Sequence, residues 1–155
     1  MWSYVDFWLA TLAGFAAGYV MALGSYWIET VFGMVRLDFG HTGMKYVGGE
    51  KPGWWAVGMI FHFVDSALIG LAYAAFVWPF LPAIGVPIRT LWGDVLGGVL
   101  FGIVVWLGLA MLVAMPMMGA GVFGHQMKSA RPAVFSLGLH ILFGALLGLI
   151  YIPQM

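Results

Sequence analysis

The chain has 155 residues, of which 63% are hydrophobic and only 8% are charged, and its mean hydropathy is +1.01. A soluble domain carries roughly 25% charged residues, because water must meet a polar surface. Six basic and six acidic side chains cannot provide that surface, and their net charge of zero excludes the basic field that nucleic-acid binding needs. Cysteine is absent, which excludes disulfides, thiolate catalysis and cysteine-ligated metals. The composition predicts an integral membrane protein.

Four apolar stretches are long enough to cross about 30 Å of hydrocarbon, which takes roughly 20 helical residues. They form a single domain, 1–155, and cover approximately residues 7–34, 54–78, 91–118 and 133–152. No Lys or Arg precedes the first stretch, so we expect it to be a mature helix rather than a signal peptide. The sequence therefore predicts an all-α membrane protein with four transmembrane helices.

The basic residues are unevenly distributed between the connections. Five of the six fall in the connections 35–53 and 119–132, which lie on the same side of the predicted membrane, and Arg89 is alone in the other connection. Because cytoplasmic loops carry an excess of Lys and Arg, we expect both of these loops to be cytoplasmic and both termini to be outside.

The two halves of the chain are similar to each other. Residues 7–78 align with 91–152, with an offset of 84 for the first helix on the third and of 78 for the second on the fourth. Matched residues include Gly14/Gly98, Gly18/Gly102, His41/His125, His62/His140, Gly70/Gly148 and Tyr73/Tyr151. This pattern predicts a tandem duplication of a two-helix hairpin. Each copy spans an even number of helices, so we expect a pseudo-twofold axis along the membrane normal.

The second and fourth helices share the pattern His-x4-Ala-Leu-x-Gly-Leu-x-Tyr, which begins at His62 and His140. In this pattern the chain resembles a group of small four-helix prokaryotic membrane proteins that have no assigned function. The resemblance implies four helices in a prokaryotic cytoplasmic membrane and carries no activity. The chain lacks the paired histidines on each of two helices with which the large cytochrome b family holds two haems.

The two aligned histidines are the main candidate site. Each lies about eight residues from the predicted cytoplasmic start of its helix, roughly 12 Å deep, and shares a helix face with small residues one and two turns further on. Matched depth and a twofold axis predict that the imidazoles of His62 and His140 face a shared centre. They would hold one b-type haem, or they would donate hydrogen bonds to neighbouring helices and fix the packing.

Two acids inside the predicted helices are not repeated. Glu29 and Asp65 align with Val113 and Phe143. A carboxylate within a membrane costs several kcal/mol unless it is paired, neutral or hydrated, so both are functional candidates. With His62 and His140 they would suit zinc, iron or manganese. With His62 alone they would line a proton or cation path.

Two further patterns invite a metal interpretation that we do not favour. The methionines around Pro116, from Met111 to Met118, carry soft thioethers that suit copper(I), but methionine more commonly fills apolar cores. The repeated Phe-Gly-His at 39–41 and 123–125 follows the first and third helices, and the sequence assigns it no role. Pro116 is expected to kink or end the third helix.

The sequence contains no recognisable pair of a nucleophile and a general base, so we expect no catalytic residues. We interpret the chain as a membrane-embedded subunit of a larger bioenergetic or electron-transfer complex. It would hold a haem b between His62 and His140 or act as a structural accessory subunit, with lipid and other membrane subunits, or a second copy, as partners. The alternative is a small standalone ion, proton or metal transporter that uses Glu29, His62 and Asp65.

Overall fold

The structure, a computed structural model, describes residues 5–33 and 37–153, and every regular element among them is helical. The α-helices are α1 (Phe7–Phe32), α2 (Gly43–Val47), α3 (Trp54–Phe76), α4 (Leu91–Val105), α5 (Met115–Met117) and α6 (Arg131–Ile150). A π-helical segment, Trp106–Ala114, joins α4 to α5 without a break. Short 3-10 turns occur at Phe39–Thr42, Trp78–Ile84 and Val122–Gly124.

Four helices are long and apolar enough to cross a membrane: α1, α3, α6 and the continuous helix Leu91–Met117. The structure is therefore compatible with an integral membrane protein. Helix ends lie within two residues of the predicted bounds, except that the predicted end at residue 34 falls outside the described residues. Helix α1 ends at Phe32, because Gly33 adopts a left-handed φ of 61° and donates its N–H to the carbonyl of Glu29.

Two hairpins build the bundle. Helix α1 packs against α3, α4 packs against α6, and the hairpins join mainly through α1 and α6. We call the end where α3 and α6 begin the basic end, since Lys45, Lys51, Lys128 and Arg131 lie in its connections or at the start of α6. The opposite end, which holds the Trp78–Ile84 turn, is the turn end.

Glycines bring the helices of each hairpin into backbone contact. A Cβ on Gly14 would collide with the carbonyl oxygen of Ser66 and lie 2.9 Å from the Cα of Gly70. In the second hairpin, a Cβ on Gly98 would collide with the carbonyl oxygen of Gly144 and lie 2.8 Å from the nitrogen of Gly148. Only glycine permits so close an approach, which is how small residues drive helix association in lipid.

Pro116 does not stop its helix at once. The helix runs one residue further, to Met117, and the preceding residues 106–114 adopt the wider π form. Proline lacks an N–H and crowds the preceding turn, and the π-helical segment lies immediately before that turn.

Candidate functional site

His62 connects α3 to α1. Its Nε2 lies 3.1 Å from the carbonyl oxygen of Gly18, and since a carbonyl only accepts, this nitrogen carries the hydrogen and donates it. Phe39, which follows α1, stacks on the imidazole with ring centroids 4.3 Å apart at 15°. The His62 carbonyl accepts a bond of 2.7 Å from the hydroxyl of Ser66. The ring is therefore held by a neighbouring helix and covered by an aromatic side chain.

His140 is bonded within its own helix. Its Nδ1 lies 2.8 Å from the carbonyl oxygen of Ser136 and donates to it, which leaves the lone pair on Nε2. Its backbone carbonyl lies against Gly102 of α4. The two imidazoles therefore form different hydrogen bonds, His62 to a neighbouring helix and His140 within its own helix.

This difference bears on the predicted haem. A histidine that ligates a metal commonly donates its other ring N–H to a carbonyl, and His140 has that arrangement with Nε2 available. His62 does not, because its Nε2 donates to Gly18. The covering aromatic is also absent from the second half of the chain, where Phe123, aligned with Phe39, is 51% exposed. Iron ligation by both Nε2 atoms would require the His62 ring to leave Gly18.

The two predicted acids lie away from the bundle interior. Glu29 is exposed in the last turn of α1, about 5 Å from its end. Asp65 is exposed midway along α3, about 16 Å from its start at Trp54. Within residues 5–33 and 37–153, no three His, Asp or Glu side chains are grouped closely enough to hold a metal ion. The structure thus does not bring Glu29, Asp65 and the histidines into one site.

Asp65 belongs to an exposed face of α3. Phe61, Val64 and Leu68 lie on the same side at helical spacing and are exposed as well. Only 28% of the most apolar stretch of α3 is buried, which is the lowest share among the four spanning helices. Asp65 has no hydrogen-bond or ion-pair partner in the part of the chain that the structure describes. The α3 face, Phe61–Val64–Asp65–Leu68, is therefore apolar except for one unpaired carboxyl group.

Asp94 is a buried acid that the sequence analysis missed. It lies in the first turn of α4, and none of its surface is exposed. Its Oδ1 accepts from the indole N–H of Trp78 at 3.0 Å and from the backbone N–H of Arg89 at 3.2 Å. The left-handed conformation of Arg89, with φ of 61°, accompanies this contact. Its Oδ2 is buried without a hydrogen-bond partner among the described residues.

Next to Asp94, the aligned tyrosines meet at the turn end. Tyr73 and Tyr151 are both fully buried, and their ring centroids are 6.1 Å apart at 78°. The Tyr73 hydroxyl donates to the backbone carbonyl of Asp94 at 3.4 Å, and Trp78 packs edge-on against Tyr151 at 5.8 Å. Tyr73 and Tyr151 are thus an aligned pair whose rings contact each other directly.

A sequence signal for this cluster existed. Asp94 is the only charged residue in the predicted helix 91–118, three residues from its start. The tyrosines stood out only as a match between the two halves.

The methionines and the loop histidines show no shared site. Met111 and Met115 are buried in a small apolar cluster with Ala110, the packing role favoured from the sequence. His41 and His125 are exposed; His41 contacts the edge of Trp54, and the Nδ1 of His125 lies 3.0 Å from the carbonyl oxygen of Val122.

Comparison of the chain with models of protein families found no match, and none was found among curated proteins or solved structures. The function of the chain is therefore inferred from its own residues.

Proposed function

We propose that this chain is a membrane-embedded subunit whose α3 face packs against a transmembrane helix of a different protein. The observation that carries the proposal is Asp65, an exposed carboxyl group without a partner, midway along an apolar helix. At that depth lipid offers neither water nor a hydrogen-bond donor. Ionisable groups inside membranes therefore face protein or water-filled cavities.

The composition of the chain favours a different protein over a second copy. The five Lys and Arg residues in the described ranges all lie at helix ends or in connections. The histidines inside the helices, His62 and His140, are part-buried and bonded to carbonyl oxygens of their own chain. A second copy related by an axis along the membrane normal would therefore offer none of these side chains to Asp65. The partner we propose supplies Lys, Arg, His or another donor at the midplane.

Helix α3 also has the smallest share of its surface buried within the bundle. Both α1 and α6 pack on two neighbouring helices, whereas α3 packs mainly on α1 and on the 39–47 segment near the basic end. The aromatic and branched side chains on the α3 face suit packing against another helix. Asp65 at the centre of this face makes the contact specific, because a partner without a matching polar group would bury an unpaired acid.

We extend the proposal to the origin and orientation of the chain. A tandem hairpin duplication is supported by the equivalent contacts of Gly14 with Gly70 and of Gly98 with Gly148. The basic end is proposed to be cytoplasmic, because the five basic residues outside the Trp78–Thr90 connection belong to the sequence of that end. A prokaryotic membrane is proposed from the resemblance of the His-x4-Ala-Leu-x-Gly-Leu-x-Tyr pattern alone.

In this proposal the histidines stabilise packing. The hydrogen bond of His62 to Gly18 supports that role, whereas the available Nε2 of His140 supports the haem alternative. Absorption spectra of the reduced complex in mild detergent distinguish the packing role from haem binding. We expect no haem bands. A Soret band that disappears in both His62→Ala and His140→Ala would replace the packing role with haem binding in an electron-transfer complex.

Transport is less well supported. Glu29 and Asp65 are exposed, while His62 is part-buried and faces α1, so these three residues do not line one internal path.

Photo-crosslinking in native membranes tests the partner. A photoreactive amino acid is placed at Leu68 on the α3 face or, as a control, at Leu107, an exposed leucine in the π-helical segment. We expect one product of discrete mass from position 68 that contains a second protein, and none from position 107. A product with the mass of two copies, or no product at position 68, would contradict the proposal.

Asp65→Leu provides the matched variant. Because Asp65 has no partner within the described chain, the isolated subunit should remain as stable as the wild type in detergent, while the crosslinked product from Leu68 decreases at least tenfold. An unchanged yield would show that the carboxyl group does not contribute to assembly.

A further inference from the structure

A groove opens between α1 and α6 at the basic end. Gly24 of α1 is near Leu139 and Leu142 of α6, with gaps of 3.5 and 3.7 Å to a Cβ built on the glycine. One turn further along α1, at Ile28, the helices enclose a cavity of about 640 Å³ that reaches the start of α6 at Arg131.

Gly138 indicates that this chain does not fill the groove. Glycines 14, 70, 98 and 148 are packed against backbone, but a Cβ on Gly138 would have no atom within 4 Å. Gly138 is exposed and lines the cavity. It thus widens the groove and does not support a contact between the helices of this chain.

The walls and the mouth of the groove differ in chemistry. Seven of the nine lining residues are apolar or glycine; the others, Ser129 and Arg131, lie at the basic end. Arg131 is the only charged lining residue, and its guanidinium has no acidic partner within the described ranges. It stands at the first position of α6, where the helix dipole adds positive potential.

The dimensions match one leaflet. From Arg131 to Leu142 the groove follows α6 for about 16 Å, close to half of a hydrocarbon core of about 30 Å. The cavity volume over that length gives a cross-section of about 40 Å², whereas an α-helix with side chains, 10–12 Å in diameter, occupies about two to three times that area. An acyl chain fits this groove better than a transmembrane helix does.

We propose that the groove binds one anionic phospholipid, with an acyl chain along Gly138 and Leu142 and the phosphate group at Arg131. The groove is formed by α1 and α6, so its occupation is independent of the partner proposed for α3. Attraction of a basic residue to an anionic lipid corresponds to about a fivefold change in affinity, which sets the expected preference for an anionic over a zwitterionic headgroup.

Native mass spectrometry of the purified chain tests this inference, with phosphatidylglycerol or phosphatidylcholine of identical acyl chains added in mild detergent. We expect one bound lipid and about fivefold tighter binding of phosphatidylglycerol. Arg131→Gln should remove the preference and leave phosphatidylcholine binding unchanged, whereas Lys128→Gln, which lies outside the groove lining, should keep it. Equal effects of the two charge variants would overturn the assignment of the phosphate site.

Gly138→Leu should block both lipids, because its side chain enters the groove. Gly108→Leu is the control, since Gly108 also has no atom within 4 Å of an added Cβ but lies in the π-helical segment. Retention of lipid by Gly138→Leu would refute the groove as the binding site. The exposed Arg131→Gln keeps the inference testable if either leucine variant fails to fold.

Discussion

The closest contacts of the bundle allow a quantitative test of the two-hairpin architecture. Gly98→Ala adds one methyl group at a place where it would lie 2.8 Å from the nitrogen of Gly148 and would collide with the carbonyl oxygen of Gly144. Ordinary contact begins near 3.4 Å. Helices α4 and α6 must therefore separate by at least about 0.6 Å, a gap that forfeits a quarter or more of the dispersion energy of each facing atom pair.

We expect Gly98→Ala to lower the free energy of unfolding by about 2 kcal/mol, within the usual range for overpacking a close contact. Gly14→Ala should lower it by a similar amount, because its methyl group would meet the Cα of Gly70 at 2.9 Å. Gly108→Ala is the internal control. It meets no atom within 4 Å, so replacing a flexible residue within a helix should stabilise the protein by about 0.5–1 kcal/mol.

The assay is reversible unfolding in mixed micelles of a mild detergent and dodecyl sulfate, followed by the fluorescence of the eight tryptophans. The decisive quantity is the difference in sign between Gly98→Ala and Gly108→Ala. If both alanines changed stability equally, the close packing of α4 on α6 would be wrong. If Gly14→Ala were neutral while Gly98→Ala was costly, the equivalence of the two hairpins would be refuted.

Two further variants test the polar contacts by the same assay. Asp94→Ala should lower the free energy of unfolding by about 2 kcal/mol, since it leaves the N–H groups of Trp78 and Arg89 without their acceptor. Asp94→Asn keeps an acceptor oxygen and should cost less; equal losses would indicate that the acceptor is unimportant. His62→Phe should cost about 1 kcal/mol more than His140→Phe, because only His62 bonds to another helix. A larger loss for His140→Phe would contradict the assigned hydrogen bonds.

The four helices could be predicted from the sequence because apolar length alone specifies a membrane span. Their ends are also local in origin: Asp6 accepts from the N–H of Leu9 at the start of α1, and Thr90 from that of Gly93 at the start of α4. The orientation of the His62 ring could not be predicted. The ring is covered by Phe39, which belongs to the connection after α1. That connection reaches α3 only through tertiary packing, which local sequence does not specify.

Aligned glycines make similar backbone contacts in the two halves, whereas the aligned histidines lie in different side-chain environments. Contacts such as that of Gly14 with Gly70 are determined by the backbone, and an alignment transfers them directly. A polar side chain instead responds to every neighbour, and the neighbours differ between the halves. Ser66 aligns with Gly144, so the hydroxyl that bonds to the carbonyl of His62 has no aligned counterpart, and the hydroxyl beside His140 is instead that of Ser136, 3.5 Å from its Nδ1.

The acids that are not repeated lie in different environments in the two halves of the chain. Asp94, aligned with Ala10, is fully buried and ties α4 to the turn that joins the hairpins. Asp65, aligned with Phe143, is exposed on a helix with much free surface, whereas Phe143 is buried. An acid in the second half thus stabilises the contact within the chain, and an acid in the first half lies where a partner can reach it. The two hairpins therefore share their glycine packing but carry these acids in different environments, one buried within the chain and one exposed on α3.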